Sequence, residues 1–458
     1  MSSPATNPPS RQATRMPAGA KKAIIASSVG TLIEWYDYAL YGAAAGLVIG
    51  PLFFPGGNST TATLAAFATF AVGFVVRPLG GIFIAHLGDT IGRKPAMILT
   101  IMLMGIATVA VGLLPPASAI GIWAPILLVL FRALQGFGAG AELSGALTVV
   151  SEFVSPRRRG LVTGLVNGTA GGGVLLSTIA FSIVIGLPKD DLMSWGWRIP
   201  FLLSAVLFFL ALYIRKSLDE TPEYREVMEK NGIEGKKRVP FLEVFRLYPR
   251  NTIGAILLWT GHNCNNYLAN AFALSYLTGT VGMDRPSALT AVIIAALSTV
   301  IMTPLMGMLG DRIGYRKVYL GSMIFCVFWA VPFFLMLSSG NLALAIIALV
   351  IGYGGVTGAT NGVGGALNAN MFPAKYRYTG IAVGKEINAA LIAGPTPFIA
   401  TALIAANGGG IWLVSLFSIA CSLVTVIAVI AVGKSVGDAP VQEQEQDAAS
   451  VKANPARV

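Results

Sequence analysis

Charge is what this chain has least of: 12% of its 458 residues are acidic or basic, while 55% are hydrophobic. That is about half the charged share of an ordinary soluble protein. A water-soluble arrangement would need several domains with polar surfaces, and no window of domain length is polar enough to make one. Cysteine is scarce too. Cys264, Cys326 and Cys421 all fall inside apolar runs, at spacings that suit neither disulfides nor a metal, and read as packing residues. There is no metal-ligating cluster, nucleophile elbow or cofactor fingerprint, so neither an enzyme nor a cofactor or metal site is expected. A net charge of +11 raises the question of nucleic acid. The basic residues lie in short clusters between apolar runs rather than along one face, so no nucleic-acid partner is expected.

What the chain has in abundance is apolar sequence long enough to cross about 30 Å of hydrocarbon. Such runs lie near 23–50, 61–87, 96–114, 123–150, 160–186, 199–215, 252–280, 288–310, 316–338, 342–369, 377–406 and 411–433. The expected fold is an all-α membrane protein of twelve transmembrane helices in two six-helix bundles, with the bilayer as its solvent. Lys and Arg orient it. With a cytoplasmic N-terminus most fall on the inner side, three lie outside (Lys189, Arg198, Arg285) and three lie within spans, as the positive-inside rule requires. The expected organisation is a disordered cytoplasmic tail (1–21), a first bundle (22–214), a polar cytoplasmic loop (215–250), a second bundle (251–433) and a disordered cytoplasmic tail (434–458). Both termini then face the cytoplasm of a multi-pass plasma-membrane protein, expected to be a monomer. Within the loop, Pro240–Phe245 suits either a short amphipathic helix on the membrane surface or a plain tether.

An ionisable side chain at mid-bilayer costs about 2.5–3.5 kcal/mol on insertion scales, so each one in a span is a functional candidate. They are Glu34, Asp37, Arg77, Arg132, Glu142, Lys385 and Glu386. Glu34, Asp37, Tyr38 and Tyr41 recur at i, i+3, i+4 and i+7 and share one face of span one. At 1.5 Å per residue, Glu34 and Asp37 lie about 16 and 21 Å from the inner end of their span, and Arg132 about 14 Å from the outer end of span four. A carboxylate facing Arg across a polar cavity has a proton affinity that depends on whether the Arg is free or holds an anionic solute. Glu34, Asp37, Arg132, Glu142 and Glu386 are therefore proton-coupling candidates. The alternative is a fixed ion pair that only orients helices. Adjacency keeps Lys385 and Glu386 from facing the same way. Arg77, nearer the inner end of span two, is a gating candidate that could pair with Asp89 or a neighbouring loop.

Span seven carries a polar stripe, Asn263, Asn266, Tyr267 and Asn270, again at i, i+3, i+4 and i+7. Amides and a phenol can hydrogen-bond a small solute without adding charge, although amides also join helices. With Tyr41, Arg132, Gln135 and Asn167 they are the substrate-binding candidates. His262 is a weaker proton-carrier candidate.

A short charged turn occurs twice: Gly88-Asp89-Thr90-Ile91-Gly92-Arg93-Lys94, and Gly310-Asp311-Arg312-Ile313-Gly314-Tyr315-Arg316-Lys317. Its charges, Asp89, Arg93, Asp311, Arg312 and Arg316, are gating candidates. The chain's 53 glycines cluster in spans. With no preceding strand and no following Lys-Ser/Thr, they suit close helix contact, not nucleotide binding.

The second turn with Gly307, and its first-half counterpart, resemble the loop motif of the major facilitator superfamily. The segments Gly30–Gly42, Val76–Gly81, Arg132–Gly136, Trp195–Phe201 and Phe372-Pro373 with Arg377–Gly380 resemble the metabolite:proton symporter family within it, over about 22–433. That family imports citrate, α-ketoglutarate, shikimate, dicarboxylates and related aromatic acids, or proline and betaine. The resemblance implies a central site, alternating access and proton symport of a small organic acid, mono- or dicarboxylate, shikimate-like or aromatic. Uptake of a zwitterionic compatible solute is the alternative reading, and drug efflux a third. The departures are Ala85 where the first motif has Gly, Thr90 where it has Arg, and an Asn-rich span seven where the family is Tyr-rich.

Overall fold

The structure is a computed structural model; it describes residues 20–56, 58–91, 93–140, 142, 159–216, 240–372 and 376–432. Among the described residues all regular structure is helical, as a chain in lipid requires, because helices satisfy their backbone groups internally. Twelve helical passes follow the apolar runs. In the first half, α1 spans Ala20–Ala44 and continues through a π-helical turn, Ala45–Ile49, to Phe53. Next come α2 (Ser59–Ile91), α3 (Arg93–Leu113), α4 (Trp123–Ala139), α5 (Arg159–Ile185) and α6 (Arg198–Lys216).

The second half repeats the plan. Its α7 comprises Pro249–Tyr267, a π-helical turn Leu268–Phe272 and Ala273–Gly279. The helices α8 (Arg285–Ile313) and α9 (Tyr315–Ser338) meet at Gly314, whose φ of 99° only glycine adopts without strain. Then α10 runs through Leu342–Leu349, a π segment Val350–Thr357 and Gly358–Ala369. The pass α11 runs through Arg377–Asn388, a π turn Ala389–Ala393 and Thr396–Ala406, and α12 covers Trp412–Val432.

Packing follows side-chain size. On α2, Phe70, Phe74 and Arg77 turn inward and are buried, whereas Val75, Leu79 and Phe83, spaced by four, are 56%, 63% and 54% exposed and face the lipid side. Where helices press closest the residue is glycine. A Cβ on Gly136 of α4 would fall on the carbonyl of Gly73 of α2, and one on Gly80 would fall on the Phe137 carbonyl.

Among the described residues the halves meet at α1 with α7, α2 with α11, and α5 with α8 and α10. Gly164, Gly168 and Gly171 of α5 run along Pro304, Thr303 and Val300 of α8. The one side-chain hydrogen bond described across the α5 seam is Asn167 Nδ2 to the Asn361 carbonyl, 3.2 Å.

Pro240–Leu247 is a helix, the helical one of the two alternatives open from the sequence. Val244 is buried, and Tyr376 donates to Glu243 at 3.1 Å beneath α11. The loop before it, both terminal tails and the end of the fourth apolar run lie outside the described residues.

Candidate functional site

Two buried charge networks lie side by side where α1, α2 and α4 meet α7 and α11. The first begins at Arg132 of α4, which donates through Nη1 to the Gln135 side-chain carbonyl one turn on. Gln135 Nε2 donates to Thr108 Oγ1 of α3 at 2.7 Å, and Thr108 donates to Asp37 Oδ2 of α1 at 2.6 Å. The Thr108 hydroxyl also lies 3.0 Å from the Met104 carbonyl, its alternative acceptor. Asp37 and Arg132 are thus joined by a one-way chain of donors rather than by direct contact. Four polar atoms around it are buried without a partner: Asp37 Oδ1, Arg132 Nε and Nη2, and the Tyr38 hydroxyl. Native interiors rarely leave such groups unpaired, and a binding site awaiting its ligand is one reason they do.

The Arg132 guanidinium stands in an aromatic recess, with Cζ 4.3 Å from the ring centre of Tyr41, 5.2 Å from Tyr38 and 5.3 Å from Phe70. Phe70 and Phe74 pack against Tyr267 of α7 at 5.9 and 5.3 Å, and Trp35 stacks on Tyr267 at 6.0 Å. Residues of both halves therefore wall the recess.

The second network centres on Arg77. Its Nη2 meets Glu34 Oε1 at 2.7 Å, and its Nε and Nη2 reach Glu386 of α11 at 2.7 and 3.3 Å. In place of Asp89 or a neighbouring loop, which the sequence allowed, the described partners of Arg77, buried at mid-helix, are carboxylates on α1 and α11. Lys385 and Glu386 do part, with Lys385 Nζ over the Trp259 ring at 5.2 Å.

The other candidates lie apart. Glu142 pairs with Arg215 of α6 and accepts from Thr100 at 2.9 Å, inside the first half. Asn263 donates to Asn388 of α11 at 2.7 Å, and Asn388 donates to Thr260 at 2.9 Å, so this amide joins helices of the second half. Asn270 donates to Asn266 at 3.3 Å, leaving Asn266 Nδ2 unpartnered. His262 bonds Thr360 at 2.7 Å and packs edge-on against Trp259.

At the second turn Tyr315 donates to Asp311 at 2.6 Å, Arg312 is exposed, and Arg316 reaches the Val429 carbonyl at 3.3 Å. The side chains of Asp89 and Arg93 lie outside the described residues.

Sequence reasoning did not single out Thr108, a lone hydroxyl in an apolar span, nor assign a role to Tyr38. Phe70, Phe74 and Arg77 carried a usable signal, since they lie at i, i+4 and i+7 on α2.

Residues 22–241 match the family described as "Sugar (and other) transporter", and residues 252–457 match "Major Facilitator Superfamily". The chain is 36% identical over 412 residues to the shikimate transporter of Escherichia coli K12, across 90% of this chain and 94% of that protein. It is 34% identical over 392 residues to the proline/betaine transporter of the same strain, across 84% of this chain and 78% of that protein. Among solved structures, the partially occluded, inward-open xylose transporter of E. coli superposes with a TM-score of 0.70 at 14% identity, covering 88% of this chain and 96% of that one, a likeness of fold alone. Those relatives, the twelve-helix architecture and the doubled turn together place the chain in the major facilitator superfamily, as a multi-pass membrane transporter of the metabolite:proton symporter type.

Proposed function

We propose that the protein takes up a small hydroxylated carboxylic acid together with a proton by alternating access, with Arg132 holding the carboxylate and Asp37 carrying the proton. The donor chain Arg132–Gln135–Thr108–Asp37 supports this reading. It directs the positive end of every dipole toward Asp37, so the charge on Arg132 is felt at Asp37. An acid anion on Arg132 cancels that charge, and a proton then binds Asp37 more readily. Once Asp37 is protonated, the Thr108 hydroxyl is free to turn to the Met104 carbonyl. Solute and proton thus favour each other's binding, the thermodynamic requirement for symport.

The unpartnered atoms sharpen the choice of solute. Arg132 Nε and Nη2 are donors suited to a carboxylate, while Asp37 Oδ1 is an acceptor that a solute hydroxyl can satisfy. A ring acid with several hydroxyls, such as the shikimate carried by one relative, offers both. A fully N-methylated betaine has no N–H donor, and Arg132 already occupies the aromatic recess that would attract its cation. A monoanion with one proton crosses electroneutrally and is driven by about 1.4 kcal/mol per pH unit.

The test is uptake of labelled shikimate and of labelled glycine betaine into proteoliposomes under an imposed inward proton gradient. We expect shikimate to accumulate, Asp37→Asn to exchange it without accumulating it, and Arg132→Gln to do neither. Accumulation of betaine alone, or undiminished accumulation by Asp37→Asn, refutes the reading.

A further inference from the structure

The two charge networks share one side chain. The Tyr38 ring centre lies 5.2 Å from Arg132 Cζ and 5.4 Å from Arg77 Cζ, so a single aromatic ring touches the guanidinium of the candidate solute site and the guanidinium that ties the halves together. It is wedged in place by Phe74 at 4.6 Å and Phe70 at 6.2 Å, which flank the two arginines. Its hydroxyl is buried and has no partner, so the ring is held by packing and by the two cations, with no hydrogen bond to fix it. Arg77 is committed on its other side to Glu34 of its own half and Glu386 of the opposite half.

We propose that Tyr38 is the positioning residue that couples solute occupancy to the tie between the halves, an inference that rests on Arg132 being the solute anchor. With the site empty, Arg132 leans on the ring, and the ring braces Arg77 against Glu386. A carboxylate on Nε and Nη2 neutralises the Arg132 guanidinium and so weakens its hold on the ring face, since a charge-assisted bidentate contact outweighs a cation–π contact. With its hold on Arg132 weakened, the ring no longer braces Arg77 on the side away from Glu386. Glu34 stays on Arg77, so parting of the halves leaves no uncompensated charge in the first half. The ring, not the hydroxyl, does the coupling.

Three measurements in proteoliposomes and detergent test this. Tyr38→Phe keeps the ring and is expected to keep the ratio of accumulation to exchange within threefold of the parent's. Tyr38→Met fills similar space without a ring and is expected to lower accumulation at least tenfold more than it lowers exchange. Parent-like accumulation by Tyr38→Met overturns the inference, as does a Tyr38→Phe variant that fails equally, which would assign the effect to the hydroxyl.

Equilibrium binding of the labelled acid to purified protein supplies a reading that needs no Tyr38 variant. If the tie and the site are linked, Glu386→Gln tightens binding severalfold, because the solute no longer works against the tie; unchanged affinity overturns the inference. In the Tyr38→Met background the effect of Glu386→Gln should vanish. A parent that neither binds nor moves any acid refutes the solute assignment instead, so the two failures are told apart.

Discussion

Arg77 of α2 and Glu386 of α11 are 309 residues apart in sequence, yet they share two hydrogen bonds inside the protein, at 2.7 and 3.3 Å. The pair joins the halves where both residues are buried. A planar fork makes both bonds in parallel, a geometry an ammonium does not match. Arg77→Lys should therefore keep the charge but lose the geometry, lowering initial uptake at least tenfold with little loss of folded protein. Arg77→Leu strands two buried carboxylates and should cost about 3–5 kcal/mol, the scale for breaking a buried pair. Thermal unfolding of the purified variants, set beside uptake, checks both.

Glu142 provides the contrast. Both its oxygens are engaged, one by Arg215 and one by Thr100, whereas Asp37 has an oxygen open. A structural role follows on our reading, in place of the proton-coupling role considered from sequence. Glu142→Ala should destabilise by about 3–5 kcal/mol by leaving Arg215 unpaired, whereas Glu142→Gln should accumulate solute normally per folded molecule. Loss of accumulation with exchange intact in Glu142→Gln would return Glu142 to the coupling set.

Replacing glycine by alanine inside a helix ordinarily gains up to about 1 kcal/mol. Gly136→Ala should reverse that sign, because its Cβ would overlap the Gly73 carbonyl and push α4 off α2. Gly321→Ala on α9 meets nothing within 4 Å and should be neutral or stabilising. Melting temperatures of the two variants, measured side by side, decide the matter.

Asp284 caps α8 by accepting from the Ser287 backbone N–H at 2.9 Å, and that bond holds its carboxyl below the ordinary carboxylate range. A depressed folded value means that the cap's contribution is complete above about pH 4, the unfolded value, and fades as pH falls through the folded one. The melting-temperature gap between parent and Asp284→Ala should therefore be constant near neutrality and close in acid. The gap to Asp284→Asn, which keeps a capping carbonyl, should stay small throughout. A gap that widens in acid would contradict this.

Much of the architecture could be read from the chain because lipid imposes it. Apolar runs of bilayer length gave the passes, and the i, i+3, i+4 pattern put Glu34, Asp37 and Tyr38 on the buried face that the structure shows. Partner choice could not be read. Whether Arg77 pairs with Asp89 or Glu386 depends on which helices come to lie together, and that is set by how α2 packs on α11. Thr108 escaped for a different reason: a single hydroxyl in an apolar helix usually bonds its own backbone, and only the nearness of Asp37 and Gln135 gives it a second use.

The glycine seam of α5 on α8 bears on how quickly such a carrier can work. Among the described residues, one amide-to-carbonyl bond holds that side of the junction, beside contact among glycine, proline, threonine and valine. In the proposed cycle, friction along this surface is low, so turnover is governed by the ion pair on the opposite flank. Exchanging that pair for a weaker or stronger one would then set the carrier's speed while leaving its choice of cargo alone.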